Sequence, residues 1–329
     1  MIYRRLVYAA VALTFIVVVV GAYVRLEDAG LGCPDWPGCY GHLVGLPTGS
    51  AELASAAESF PQRPVEPHKA WKEMFHRYFA GTLGVLLVVI MALAWKRRRD
   101  TGDSPWLATA IVGLIAVQAT LGKWTVTMLL KPVIVTLHLL GGMATLALLT
   151  WLALRQSAIP QANVEELRLR PWALVGLIIV ICQIALGGWV STNYAALVCL
   201  DFPACQGAWV PAMDFTHGFH FARELGMTLS GAPLGLDALT AIHWTHRVGA
   251  LVTFIYVGAL ALALMRTRSA TRLGAALALI LVAQVAIGVA NVLLRLPLPV
   301  AVAHNAGAAA LLAMMVVINF ALSRTRNRA

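Results

Sequence analysis

The chain has little charge. Of its 329 residues only 12% are Asp, Glu, Lys or Arg, and 15 are acidic, while 60% are hydrophobic. That balance excludes an ordinary soluble domain. Cysteine is scarce as well, with five in the whole chain, and no Cys-x-x-Cys-His occurs, which excludes covalent attachment of a c-type heme. The N-terminus lacks a small-residue cleavage site, and no amphipathic Arg/Ser-rich transit stretch precedes the first apolar run. That run is read as retained in the mature protein, and a bacterial plasma membrane as its address.

What the chain does have is apolar runs long enough to cross a bilayer. They can be drawn at Leu6 to Val24, Phe75 to Trp95, Leu107 to Val126, Val133 to Ala153, Trp172 to Ser191, Ile242 to Leu264, Leu273 to Leu293 and Val300 to Leu322, eight in all. With eight spans, the short basic segments fall on one side: Arg4-Arg5, Lys96 to Arg99, the Arg155 to Arg170 stretch, Arg266/Arg268/Arg272 and Arg324/Arg326/Arg328. The positive-inside rule makes that side, and both termini, cytoplasmic. The formal charge of +10 is then mostly topogenic, and membrane lipid rather than nucleic acid is the expected surroundings.

The sequence is also written twice. Cys33-Pro-Asp35-Trp-Pro37-Gly-Cys39 is answered 166 residues later by Cys199-Leu-Asp201-Phe-Pro203-Ala-Cys205. The same offset pairs Gly21 with Gly187, Gln118 with Gln284, Gly122 with Gly288 and His138 with His304. A slip of four residues pairs His76-Arg77 with His246-Arg247. A long internal repeat marks two copies of one unit. The expected architecture is an all-α membrane protein of two repeated four-helix bundles, residues 1–160 and 161–329.

Both cysteine pairs fall in the long extracytoplasmic loops, an oxidising side, so disulfides Cys33–Cys39 and Cys199–Cys205 are expected. They serve as structural staples or as a redox-active dithiol, and the sequence leaves both open. Cys182, inside the fifth span, reads as a small buried apolar residue.

Four of the nine histidines stand apart. His76 and His246 lie near the outer ends of spans two and six, and His138 and His304 lie one to two turns into spans four and eight. All four sit roughly 10 Å below the outer surface at 1.5 Å per residue. Ionisable groups inside a membrane are costly and point to function. Two imidazoles on facing helices of a bundle suit the axial positions of a b-type heme. Arg77, Arg247, Lys131 and Arg295 lie where heme propionates would need cations. The halves differ at one place: Glu73-x-x-His76 becomes His243-x-x-His246, so only the first site has a carboxylate one helical turn from its histidine. Glu73 reads either as a group of a chemically active pocket or as a helix-end residue paired with Lys69 or Arg77. A di-iron centre would need carboxylates that spans four and eight do not offer.

At these residues the chain resembles the heme A synthase family. The resemblance rests on Gly21-Ala-Tyr-Val-Arg25-Leu, the Gly30 to Cys39 loop, Glu73-Met-Phe-His76-Arg77 and His246-Arg247, and covers essentially the whole chain. It implies an enzyme that oxidises the C8 methyl group of heme O to a formyl group, giving heme A for terminal oxidases, with a resident heme b as cofactor. It further implies that His76 and His138 frame the substrate, that Glu73 matters for turnover, and that His246 and His304 ligate heme b. With both cysteine pairs the chain resembles the four-cysteine kind. The expected partners are heme O, delivered by the heme O synthase, and an electron donor of unknown identity; a homo-oligomer is compatible with the sequence. The rival readings are a diheme b-type electron-transfer cytochrome and a thiol–disulfide membrane protein.

Overall fold

A computed structural model describes residues 1–157, 164–267 and 269–323. Among them the chain is helical, with isolated bridges in place of strands. Eight helices are long and apolar enough to span a membrane: α1 (Ile2–Leu26), α2 (Pro67–Thr101), α3 (Trp106–Thr127), α4 (Pro132–Arg155), α5 (Arg170–Thr192), α6 (Leu236–Met265), α7 (Thr271–Leu293) and α8 (Leu298–Ser323). In lipid no water can satisfy an open backbone, and helices meet that demand by bonding every turn internally. Pro67 starts α2 where its missing N–H costs nothing, and Gly102 ends it in the left-handed region at φ 70°. The protein is a multi-pass membrane protein.

Two helices run further outward than their apolar windows. His76 is the tenth residue of α2 and His246 the eleventh of α6, so neither is close to its helix end. The extra turns of α2 carry His68, Lys69 and Lys72, which a hydropathy window rejects although they propagate a helix well. Cys182 also departs from expectation. It lies on the exposed face of α5, while Val180 and Ile184 take the inward positions.

The chain divides into two compact units, Met1–Gly142 and Met143–Ala329. In the first, α1 packs along α2 and α2 along α3. On α4, a side chain at Gly142 would touch Val18 of α1. In the second, α5 packs on α6, α6 on α7, α7 on α8 and α8 back on α5, which closes a ring of four helices. Asn319 of α8 donates to the Ala173 carbonyl of α5 at 3.0 Å, a polar tie inside an apolar contact. The boundary expected at residue 160 lies outside the described residues, as do Arg268, Arg324, Arg326 and Arg328.

The repeat is present in the backbone itself. Eight non-glycine residues adopt positive φ among the described residues, and they form four pairs at the 166-residue offset: Asp28 and Tyr194, Tyr40 and Gln206, Leu129 and Arg295, Leu130 and Leu296. Side chains differ in three of the four pairs. The turn, not the residue, is what recurs.

Candidate functional site

Each cysteine loop is a small closed frame. Cys33 is bonded to Cys39 and Cys199 to Cys205. Asp35 accepts from the backbone amides of Tyr40 and Gly41 at 2.6 and 2.9 Å, and Asp201 accepts from Gln206 and Gly207, both at 2.8 Å. The Gly207 amide foremost, with Gln206, holds the Asp201 carboxyl below the usual aspartate range.

An arginine ties each frame to the helix that carries a histidine. Arg77 donates through Nη1 to the carbonyls of Asp35 (3.0 Å), Pro37 (3.3 Å) and Gly38. Arg247 donates to Asp201 (2.9 Å), Ala204 (2.7 Å) and Cys199 (2.7 Å). Both guanidiniums are thus engaged by loop carbonyls, one residue beyond His76 and His246. On the other side of the clamp the halves differ. Glu73, 5% exposed, pairs with Arg77 through Oε1 and accepts from the Cys33 amide through Oε2 at 2.9 Å. At the matching position His243 accepts through Nε2 from Arg247 Nε at 3.3 Å. Lys69, the other partner considered for Glu73, pairs instead with Glu66 at 3.0 Å.

The four histidines come together in pairs. His76 of α2 and His138 of α4 lie close enough to act on each other electrostatically, and so do His246 of α6 and His304 of α8. A glycine on the neighbouring helix makes room for every ring. A Cβ on Gly21 would fall 3.0 Å from His76 Cε1, on Gly122 3.4 Å from His138, on Gly187 3.1 Å from His246 and on Gly288 2.9 Å from His304. Among the described residues no three His, Cys, Asp or Glu converge as they would around a metal caged by protein alone. Two half-buried imidazoles per unit between apolar helix faces suit the axial positions of a tetrapyrrole iron, whose ring brings the remaining nitrogens.

Lys131 and Arg295 sit in the connections α3–α4 and α7–α8, with Arg295 in the recurring left-handed turn. Two side chains were not foreseen. Gln183 Nε2 lies 3.0 Å from His246 Nδ1 and donates to the His246 carbonyl at 3.0 Å; an amide amid an apolar run was the available signal. Arg223, 1% exposed, donates to Asn193 Oδ1 at 2.5 Å and to the His217 carbonyl at 3.1 Å, and packs 5.7 Å from the Trp189 ring. Burial lowers its pKa. Nothing in its local sequence marks it.

Comparison with known proteins settles the family. The family model described as Cytochrome oxidase assembly protein, COX15-CtaA, matches residues 4–316. The chain belongs to this family. A protein of Shewanella oneidensis named Heme A synthase is 43% identical over 312 residues, covering 94% of this chain and 93% of the relative. A Heme A synthase of Halalkalibacterium halodurans is 27% identical over 70% of this chain and 72% of its own length. One of Caulobacter sp. is 30% identical over 64% and 66%. The paired histidines and clamped loops are therefore features of a cytochrome oxidase assembly protein.

Proposed function

We propose that the protein is a heme A synthase, a membrane oxidoreductase that acts on a CH group and converts the C8 methyl of heme O to a formyl group. The observation that carries this reading is the pairing of four half-buried histidines into two sites that differ at Glu73 and His243, together with a 43% identical relative of that name. A protein that only passes electrons has no need of two differentiated sites.

In this reading the first bundle, residues 1–160, takes heme O between His76 and His138, and the second, residues 161–329, holds heme b between His246 and His304. Heme b, when bound, supplies one-electron redox chemistry. The chain's own residues do the rest. The apolar helix faces keep water from the buried rings, and the glycines opposite the histidines fix how closely the helices approach. Arg77 and Arg247 hold the loop frames to α2 and α6, and their cationic heads remain candidates for the propionates. Glu73 sets its Oε1 against the Arg77 guanidinium. Its Oε2 is held by the Cys33 amide, which favours a role in fixing the loop at the substrate site, with Oε1 the atom that could exchange a proton if Arg77 released it.

The protein sits in the bacterial plasma membrane with both termini cytoplasmic. Arg97, at the basic end of α2, stacks 4.5 Å from the Tyr3 ring at the start of α1, which puts the basic segments Arg4-Arg5 and Lys96 to Arg99 at one end and the cysteine loop at the other. Its partners are the heme O synthase, an electron donor and the surrounding lipid.

Co-expression with a heme O supply, followed by chromatography of extracted hemes, tests the function. Heme A is the expected product. Unchanged heme O beside a protein carrying two permanent b hemes would establish the diheme cytochrome instead.

A further inference from the structure

The four histidines share a glycine neighbour but not their hydrogen-bonding support. His246 has the Gln183 carboxamide at Nδ1. For His304, Gln284 Nε2 donates to the histidine's own carbonyl at 3.0 Å; the Gln284 backbone carbonyl lies beside the ring, and His304 Nδ1 has no hydrogen-bond partner. The Gln118 backbone carbonyl lies beside the His138 ring, while His138 Nδ1 and both amide atoms of Gln118 are buried without a hydrogen-bond partner. In all three cases the glutamine amide occupies the place that a side chain would take on the glycine three residues after the histidine: Gly249, Gly307 and Gly141. His76 has none of this. The residue three positions on is Phe79 and the residue matching Gln183 in the repeat is Val17, so no amide fills the space beside its ring, and its Nδ1, like those of His138 and His304, is buried without a hydrogen-bond partner.

A buried amide among apolar helices is unfavourable unless it is bonded, and Gln183 and Gln284 each direct their N–H to a histidine. A group bonded to the second nitrogen of a ligating imidazole fixes the ring's rotation and strengthens it as a donor. Gln183 Oε1, buried and unpartnered, is the acceptor that a metal-bound imidazole's Nδ1–H would address once the amide turns. An imidazole without that restraint turns freely and lets go more readily. A resident cofactor needs two fixed ligands, whereas a substrate that enters and leaves needs one that yields.

We propose that Gln183 is a positioning residue that holds His246 as a fixed axial ligand, with the Gln284 and Gln118 amides packed in the same place one turn along from His304 and His138, and that His76, which has no such amide beside it, is the exchangeable ligand of the substrate site. The second clause rests on the assignment of heme O to the first unit.

The test uses purified full-length protein loaded with hemin, with release followed by transfer to apomyoglobin and the low-spin EPR signals recorded in parallel. Wild type releases heme in a fast phase from the first unit and a slow phase from the second. Gln183→Met, equal in size but without the amide, accelerates the slow phase about tenfold or more and shifts its EPR signal. Gly249→Ala, which displaces the amide, does the same; Gly84→Ala, whose added methyl meets open space, changes neither. Val17→Gln with Phe79→Gly, which installs the support at His76, slows the fast phase. Slow-phase rates and spectra that ignore both Gln183→Met and Gly249→Ala overturn the positioning role. A fast phase unaffected by the double variant overturns the exchangeable-ligand role. If these responses hold but no heme A is made in cells, the enzyme reading fails while the positioning stands; heme A formation without them sinks this inference alone.

Discussion

The Cys33 backbone amide donates to Glu73 Oε2 at 2.9 Å, which joins the first disulfide to a carboxylate one helical turn from His76. Through Oε1 the same carboxylate pairs with Arg77, whose Nη1 grips the loop carbonyls. Loop, carboxylate and arginine form one closed network one turn away from His76.

Because Glu73 acts within that network, its charge and its hydrogen bonds can be separated. Glu73→Gln retains an acceptor for Cys33 and loses the charge. It is expected to accumulate with its heme b intact and to yield at least tenfold less heme A, with heme O or a hydroxylated intermediate extracted in its place. Near-normal heme A would leave the carboxylate as a loop anchor alone. His243, its counterpart, should tolerate substitution better.

His246→Ala and His304→Ala should each remove most of the b-type absorbance of the purified protein, since an iron with one axial imidazole is under-ligated. A full low-spin spectrum in both variants would refute the assignment of the resident heme to the second unit.

Mass spectrometry without reduction should recover the peptides joining Cys33 to Cys39 and Cys199 to Cys205, with Cys182 alone available to an alkylating agent in detergent. Four alkylated loop cysteines would contradict both the disulfides and an extracytoplasmic position for the loops.

The second loop should loosen in acid. The amides of Gly207 and Gln206 favour ionised Asp201, so its folded pKa lies below the unfolded one. That contribution is fully present above the unfolded carboxylate range and is lost as pH falls through the folded value. Hydrogen exchange at Gln206 and Gly207 should therefore be slow and steady at neutral pH, relative to the intrinsic rate, and lose protection on acidification; Asp201→Asn should show the weaker protection throughout. A protection factor independent of pH in wild type would show that the carboxylate does not hold the loop.

Much of this was legible beforehand because it is periodic or repeated. Eight apolar runs gave the helices, the 166-residue offset gave both loops and matched His138 with His304, and a slip of four residues matched His76 with His246. The outward extensions of α2 and α6 were not legible, since a helix beyond the hydrocarbon no longer needs apolar residues. Nor was the exposed side of Cys182: in a membrane helix both faces are apolar, and hydropathy does not distinguish lipid from neighbour. Gln183 was hidden for another reason. Its partner is 63 residues away, and its counterpart in the first half is Val17, so the repeat concealed the position by breaking there.

The two loop frames have the same backbone plan: a disulfide of equal span, an aspartate accepting from two successive amides, and an arginine on the carbonyls of Asp35 or Asp201 and of Gly38 or Ala204. All of those contacts are made by backbone and by anchoring side chains. Trp36 and Phe202 turn outward, 40% and 47% exposed, although the Arg247 guanidinium lies 6.0 Å from the centre of the Phe202 ring. The frame therefore behaves as a mount with an interchangeable face: its outward side chains can diverge between the halves, and between relatives, without altering how either loop is fastened above its histidines.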